Sequence, residues 1–174
     1  FDQDWLGNNT GSMYNGSFGD KIGIGTTTPE FTLSIERGGS AWADGGIMAK
    51  GLYNVGSQLT TTGAGTRMFW YPRKAAFRAG YTLDNSWDND SIGGYSTAFG
   101  YSTKAIGSYS VSLGYRTQAS GVTSFSSGSF TNARGNYSSA HGYYSSADGL
   151  YAYAKGSYSL AEGDYSQAIG HYDT

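Results

Sequence analysis

From Gly93 to Gly170 small and bulky side chains alternate in blocks of seven, and each block ends on a glycine. Twelve glycines keep this interval: Gly93, Gly100, Gly107, Gly114, Gly121, Gly128, Gly135, Gly142, Gly149, Gly156, Gly163 and Gly170. Small residues stand two and four places before them, as in Ser96-Thr97-Ala98-Phe99-Gly100 and Ser110-Val111-Ser112-Leu113-Gly114. A heptad of this kind is not a coiled coil, which needs two apolar positions per repeat. A helix would also lose about 1 kcal/mol at each glycine. In an extended chain, positions two apart share a face. The serine, threonine and alanine sites therefore line one side of a short strand, and the following glycine is predicted to turn the corner with positive φ.

Two strands are needed for a coil to return on itself, which makes 14 residues the structural unit. The tyrosines agree: Tyr95, Tyr109, Tyr137, Tyr151 and Tyr165 keep that spacing, broken only at Thr123. The pattern thus predicts an all-β chain dominated by a parallel β-roll, a solenoid roughly 26 Å long at about 4.8 Å per coil. Its interior of serine, threonine and alanine makes it thin, and so thin a roll buries little apolar area. Phe99, Val111, Leu113, Phe125, Tyr153 and Ile169 fall at outward positions on one flank. Such a stripe calls for a partner, and identical rolls packing side by side are the economical one.

The runs Tyr95-Ser96-Thr97-Ala98-Phe99-Gly100, Tyr109-Ser110-Val111-Ser112-Leu113-Gly114 and Tyr165-Ser166-Gln167-Ala168-Ile169-Gly170 resemble the head repeats of trimeric autotransporter (YadA-like) adhesins. The resemblance covers about residues 91–174. It implies a left-handed roll, homotrimeric about the fibre axis, with Phe99, Val111, Leu113, Phe125, His141, Tyr153 and Ile169 as trimer contacts. The polar pairs Ser139/His141 and Tyr153/Lys155 would make that contact wetter midway along.

Ahead of the roll, residues 1–65 read as a smaller β-rich module and 66–92 as a connector and cap. Residues 1–20 form an irregular entry segment docked by Trp5 and Tyr14. Next, Lys21-Ile22-Gly23-Ile24-Gly25-Thr26-Thr27-Thr28-Pro29 followed by Phe31-Thr32-Leu33-Ser34-Ile35 resembles the V-G-I-G-T-T-x-P module of phage tail fibres and large bacterial surface proteins. Its alternation predicts a β-turn-β unit interrupted at Pro29. It lacks the spacing of a phosphate loop. Residues 38–65 suggest further short strands.

The densest chemistry lies in residues 67–78. Arg67, Trp70, Tyr71, Arg73, Lys74 and Arg78 are the candidate ligand-binding residues, fit for a glycan or anionic polymer through stacking and guanidinium hydrogen bonds. The competing reading is a cap, in which Trp70 and Phe77 close the first coil and the basic side chains lie outside. Asp84-Asn85-Ser86-Trp87-Asp88-Asn89-Asp90 alternates oxygens as calcium loops do, without the glycine and glutamate of an EF-hand. A polar turn with Trp87 as a plug is the simpler account.

Composition narrows the function. With no cysteine and two histidines, His141 and His171, a single chain offers no transition-metal site, and no cofactor is implied. No nucleophile elbow or isolated pair of carboxylates stands out from the repeat, so the reading is non-enzymatic. A net charge of −2 argues against nucleic acid, and no apolar run is long enough for membrane insertion of this segment. The chain reads as a piece of a longer polypeptide whose repeats continue past its end. An extracellular or cell-surface fibre, a homotrimer meeting a host or environmental surface and its glycans, is the leading function. The alternatives are a receptor-binding fibre of a phage or contractile injection system and, less well supported by a tyrosine ladder, ice binding.

Overall fold

A computed structural model describes residues 49–174 and Ile47, together with the backbone of three short strands nearer the start. The chain divides into two compact units, residues 1–49 and 50–174. In the first, β1 (Met13–Gly16) runs antiparallel to β2 (Lys21–Ile24), and β2 pairs in parallel with β3 (Leu33–Ile35). Ile22 lies opposite Leu33 and Ile24 opposite Ile35, so the two alternating apolar runs are the two paired strands. The side chains of Trp5 and Tyr14 and the interruption at Pro29 lie outside the described residues.

The second unit opens with residues 50–64, which hold no strand, unlike the short strands read from their composition. Their backbone is bonded to neighbouring loops instead of a ladder: Asn54 N–H donates to the Arg73 carbonyl at 2.8 Å, and Gly63 N–H to the Asp88 carboxylate at 2.9 Å. An antiparallel hairpin follows, β4 (Gly65–Tyr71) and β5 (Ala76–Thr82), around a short 3-10 turn at Pro72–Lys74. Long and short strands then alternate: β6 (Thr97–Tyr101), β7 (Lys104–Ala105), β8 (Val111–Tyr115), β9 (Gln118–Ala119), β10 (Phe125–Ser129) and β11 (Asn132–Ala133). The same alternation continues through β12 (Ser139–Tyr143), β13 (Ser146–Ala147), β14 (Tyr153–Ser157), β15 (Leu160–Ala161) and β16 (Gln167–His171).

The long strands form one eight-stranded sheet, in the order β16-β14-β12-β10-β8-β6-β5-β4, and the short ones a five-stranded sheet, β15-β13-β11-β9-β7. From β5 onward every pairing in the large sheet is parallel. Ala98, Ser112, Ser126, Ala140, Ala154 and Ala168 stack as one column, and Ala105, Ala119, Ala133, Ala147 and Ala161 as the opposing one. This is the solenoid of 14-residue coils that the period required. Its interior is the predicted one of small residues, all buried, with hydroxyls paired across it at Ser112–Thr117 and Ser126–Thr131, 2.7 Å each.

The glycines do something other than turn corners. Gly100, Gly114, Gly128, Gly142, Gly156 and Gly170 do have positive φ, between 107° and 144°, but lie inside the long strands, and Gly107, Gly121, Gly135, Gly149 and Gly163 precede the short turns without positive φ. The corners with positive φ are bulkier residues: Tyr95, Ser102, Tyr109, Arg116, Thr123, Phe130, Tyr137, Tyr144, Tyr151, Tyr158, Tyr165 and Tyr172, all between 51° and 60°. What excludes a side chain at the glycines is the next coil. A Cβ on any of them from Gly93 to Gly156 would lie 1.8–2.1 Å from the carbonyl oxygen of the glycine one coil on.

That contact is testable within one chain. Gly135→Ala places a Cβ 1.8 Å from the Gly149 carbonyl, whereas in Gly163→Ala the nearest atom is Ser166 Cβ at 3.7 Å, and neither glycine has positive φ. The first is expected to cost about 3 kcal/mol or more and the second under about 0.5 kcal/mol, read from guanidinium unfolding of the two variants. Equal losses would show that close coil approach is not the reason for the glycines.

Candidate functional sites: an outward sheet face and a capped end

The residues predicted to contact other subunits share one face of the large sheet. Phe99, Leu113, Ser127, His141, Lys155 and Ile169 form one column, and Thr97, Val111, Phe125, Ser139, Tyr153 and Gln167 the column beside it. All seven candidates fall in these two columns, because their side chains alternate with the inward alanines and serines. Toward the hairpin the face is apolar, with Phe77 against Phe99 at 5.3 Å between ring centroids. From Ser127 onward it becomes polar. His141 bridges two serines, Nδ1 to Ser127 Oγ at 2.8 Å and Nε2 to Ser139 Oγ at 2.7 Å, with Phe125 and Tyr153 on either side. Burial and, less strongly, the Lys155 ammonium push the His141 pKa below its ordinary 6.5.

The candidate ligand-binding residues of 67–78 separate instead of converging. Arg67 donates to the carbonyls of Gly63 and Thr62. Arg73 reaches the Gly56 carbonyl at 2.7 Å, and Lys74 reaches the carbonyls of Ile92, at 2.8 Å, and Asn89. Tyr71 is buried; its hydroxyl donates to Asn89 Oδ1 at 2.8 Å and accepts from Leu59 N–H at 3.1 Å. Trp70 alone of the six remains an exposed ring, beside Met68.

Arg78 departs furthest from the sequence reading. It is fully buried, in register with the inward Ala98, so the basic side chains of this stretch do not all lie outside. Its guanidinium closes the first coil by donating to the carbonyls of Phe77 (2.8 Å), Ser96 (2.9 Å) and Ala105 (2.9 Å) and to Ser96 Oγ (2.8 Å). Burial lowers its pKa to about 10. Trp87 completes the plug, as its sequence position suggested, with no exposed surface and its indole N–H on the Thr103 carbonyl at 2.8 Å. The end is therefore capped by Arg78 and Trp87, while Phe77 and Trp70 lie toward the outside. Open carbonyls at the end of a parallel sheet need donors, and a guanidinium supplies several in one plane.

In the 84–90 loop the oxygens diverge. Asp84 accepts from the Ser86 N–H at 2.9 Å and pairs with Lys104 at 2.9 Å; Asp88 serves Gly63 and Asn89 serves Tyr71. Burial acts to raise the Asp84 pKa, but hydrogen bonds from Ser86 and Lys104 outweigh it and bring the carboxyl down to about 2. The corner aromatics form the ladder that their 14-residue spacing predicts. They stack coil on coil: Tyr95–Tyr109 at 4.9 Å, Tyr137–Tyr151 at 4.8 Å, Phe130–Tyr144 at 4.5 Å and Tyr158–Tyr172 at 4.9 Å.

Two expectations follow. Arg78→Ala removes a donor set shared by three carbonyls and is expected to cost about 3 kcal/mol, with hydrogen-exchange protection lost at β5 and β6 before β14. Protection lost evenly along the roll would argue against a local cap. For His141, a folded pKa below the unfolded one means that the unfolded chain binds the extra proton. Stability should therefore be full above pH 6.5 and fall as pH drops below it. That part of the pH dependence should be absent from His141→Asn when the two are unfolded in parallel between pH 7.5 and 5.5.

Residues 91–117, which carry β6, β7 and β8, match the family model of the YadA head domain repeat in two copies. Neither a curated protein nor a solved structure gives a significant match. Over the matched stretch the chain is similar to a YadA head, and the coil geometry seen there continues unchanged through β16.

Proposed function

We propose that the roll is a segment of an extracellular fibre, a rigid homotrimeric rod whose work is contact with a host or environmental surface. The observation that carries this reading is the outward face of the large sheet. Phe77, Phe99, Val111, Leu113 and Phe125 form a continuous apolar strip there, while beyond the plug of Arg78 and Trp87 the interior columns are alanine, serine and threonine. Apolar burial stabilises at about 25 cal/mol per Å², and an alanine-lined roll has little of it to bury alone. Covering the strip with copies of itself supplies the missing core. The likeness of residues 91–117 to a YadA head repeat supports both the trimer and the place at a cell surface. A regular rod that repeats one coil and varies on its outer face suits display better than catalysis.

Sedimentation of the chain should return the mass of three copies. The double variant Phe99→Glu/Leu113→Glu sets two charges in the strip and should sediment as one copy. A wild-type monomer, or a trimer indifferent to both charges, would overturn the assembly. Beads coated with the rod should adhere to glycan-bearing surfaces, and the double variant should lose that adhesion with its assembly.

A further inference from the structure

A cavity of about 280 Å³ opens where the loop after β5 crosses the short-strand sheet. Leu83 and Asp84 come from the loop, Arg116 from a corner, and Lys104, Gln118 and Asn132 from the outward side of β7, β9 and β11. Ligand pockets usually run from about 300 Å³ upward, so this one has room for a single sugar-sized ring.

The lining has an uneven charge. Lys104 is neutralised by Asp84 at 2.9 Å. Arg116 is exposed, and none of the ion pairs among the described residues involves it. Its guanidinium carbon lies 5.7 Å from the centroids of both Tyr115 and Phe130, which hold the cation at the cavity's edge. Gln118 and Asn132 are paired positions on adjacent parallel strands, so their backbones stand about 4.8 Å apart along the rod and both carboxamides line the cavity. Each offers a donor and an acceptor. Asp84 keeps its negative charge, and Leu83 exposes an apolar side chain on the opposite wall.

One unpaired guanidinium, two carboxamides, an acceptor carboxylate and one apolar wall complement a ring that carries a carboxylate, several hydroxyls and a C–H face. We propose that this cavity binds a carboxylated monosaccharide unit, a uronic or nonulosonic acid at the end or side of a glycan. Arg116 takes the carboxylate as a charge-assisted fork. Gln118, Asn132 and Asp84 bind ring hydroxyls, and Leu83 meets the C–H face. The proposal deepens the adhesive reading and rests on it for the presence of glycan on the opposing surface; the binding chemistry itself belongs to one coil.

Titration of the full chain with glucuronate and with N-acetylneuraminate, followed by calorimetry or by chemical-shift changes, tests it. Glucose and inorganic sulfate are the controls. Either acid sugar should bind, both controls should bind at least tenfold more weakly, and Arg116→Gln should weaken the acid sugar by about 10- to 100-fold. The equivalent corners hold Ser102 and Phe130 at nearly the same φ, so this substitution leaves the backbone in place. Asn132→Ala should weaken binding severalfold. Equal binding of sulfate would reduce the site to an anion cradle, and equal binding of glucose would remove Arg116 from it. Absence of binding, or indifference to Arg116→Gln, would overturn the proposal outright. Sedimentation and adhesion of the same variant keep the two readings apart. Arg116→Gln rods that stay trimeric and adhere as before sink the cavity and spare the fibre, whereas wild-type rods that neither assemble nor adhere sink the fibre and leave the titration to judge the cavity.

Discussion

The spacing between successive coils is the constraint on which the roll depends. Parallel strands stack so closely that the glycine carbonyl of one coil occupies the place a Cβ would take on the coil before. At Gly107, Gly121, Gly135 and Gly149 glycine is thus required by its neighbour alone, and inside the long strands by its neighbour and by its own positive φ together. Because each glycine is held by the next, the period admits no drift. One added residue would move every alanine column to the outside, since side chains alternate along a strand. The same closeness limits the columns between the sheets to alanine, serine and threonine, and hydroxyls meet across the gap at Ser112–Thr117 and Ser126–Thr131.

The corners carry the cost of this compactness. A non-glycine residue in the left-handed region costs about 1–2 kcal/mol, and a corner occurs twice in every coil. Two things offset it. The N–H of each corner donates to the preceding coil, as Tyr109 does to Gly94 and Arg116 to Tyr101. Stacked rings add about 0.5–1.5 kcal/mol per pair. Thr123 separates the two contributions. It has no ring to stack, yet it keeps φ at 55° and its N–H bond to the Ser108 carbonyl at 2.8 Å. The backbone bond therefore sets the corner conformation, and the tyrosine ladder strengthens a geometry that exists without it.

Much of this was legible before any coordinates. Periodicity identified equivalent positions, and parity decided which of them point inward; hence the interior columns, the 14-residue coil and the outward strip of Phe99, Val111, Leu113 and Phe125 emerged from the residues alone. Periodicity does not report φ, so the corner was assigned to the glycine when it belongs to the residue two places later. Nor does composition report direction. Residues 67–78 read as a basic, aromatic surface, but a guanidinium that suits an anionic ligand equally suits open carbonyls, and Arg78 found those in Ser96 and Ala105. The cavity beside Arg116 was invisible for a different reason. Asp84 and Lys104 are twenty residues apart and meet only because the loop folds back over the short strands.

Uniform interior and varied exterior are two sides of the same economy. Since coil contact dictates the inward positions, substitution is free only on the outward columns and at the corners, and there the coils differ from one another. Near the hairpin the large-sheet face is apolar; beyond Ser127 it carries His141 and Lys155. Any self-association through this face is therefore strongest at the capped end, where desolvation costs least, and weaker where an ammonium must also lose water. The hydrogen bonds of His141 to Ser127 and Ser139 ease that transition, because a neutral imidazole with both nitrogens engaged can be covered at small cost. The short-strand side follows another rule. Lys104, Gln118 and Asn132 are polar in succession, and their side chains stay in water, where they can meet a ligand without disturbing the coils beneath.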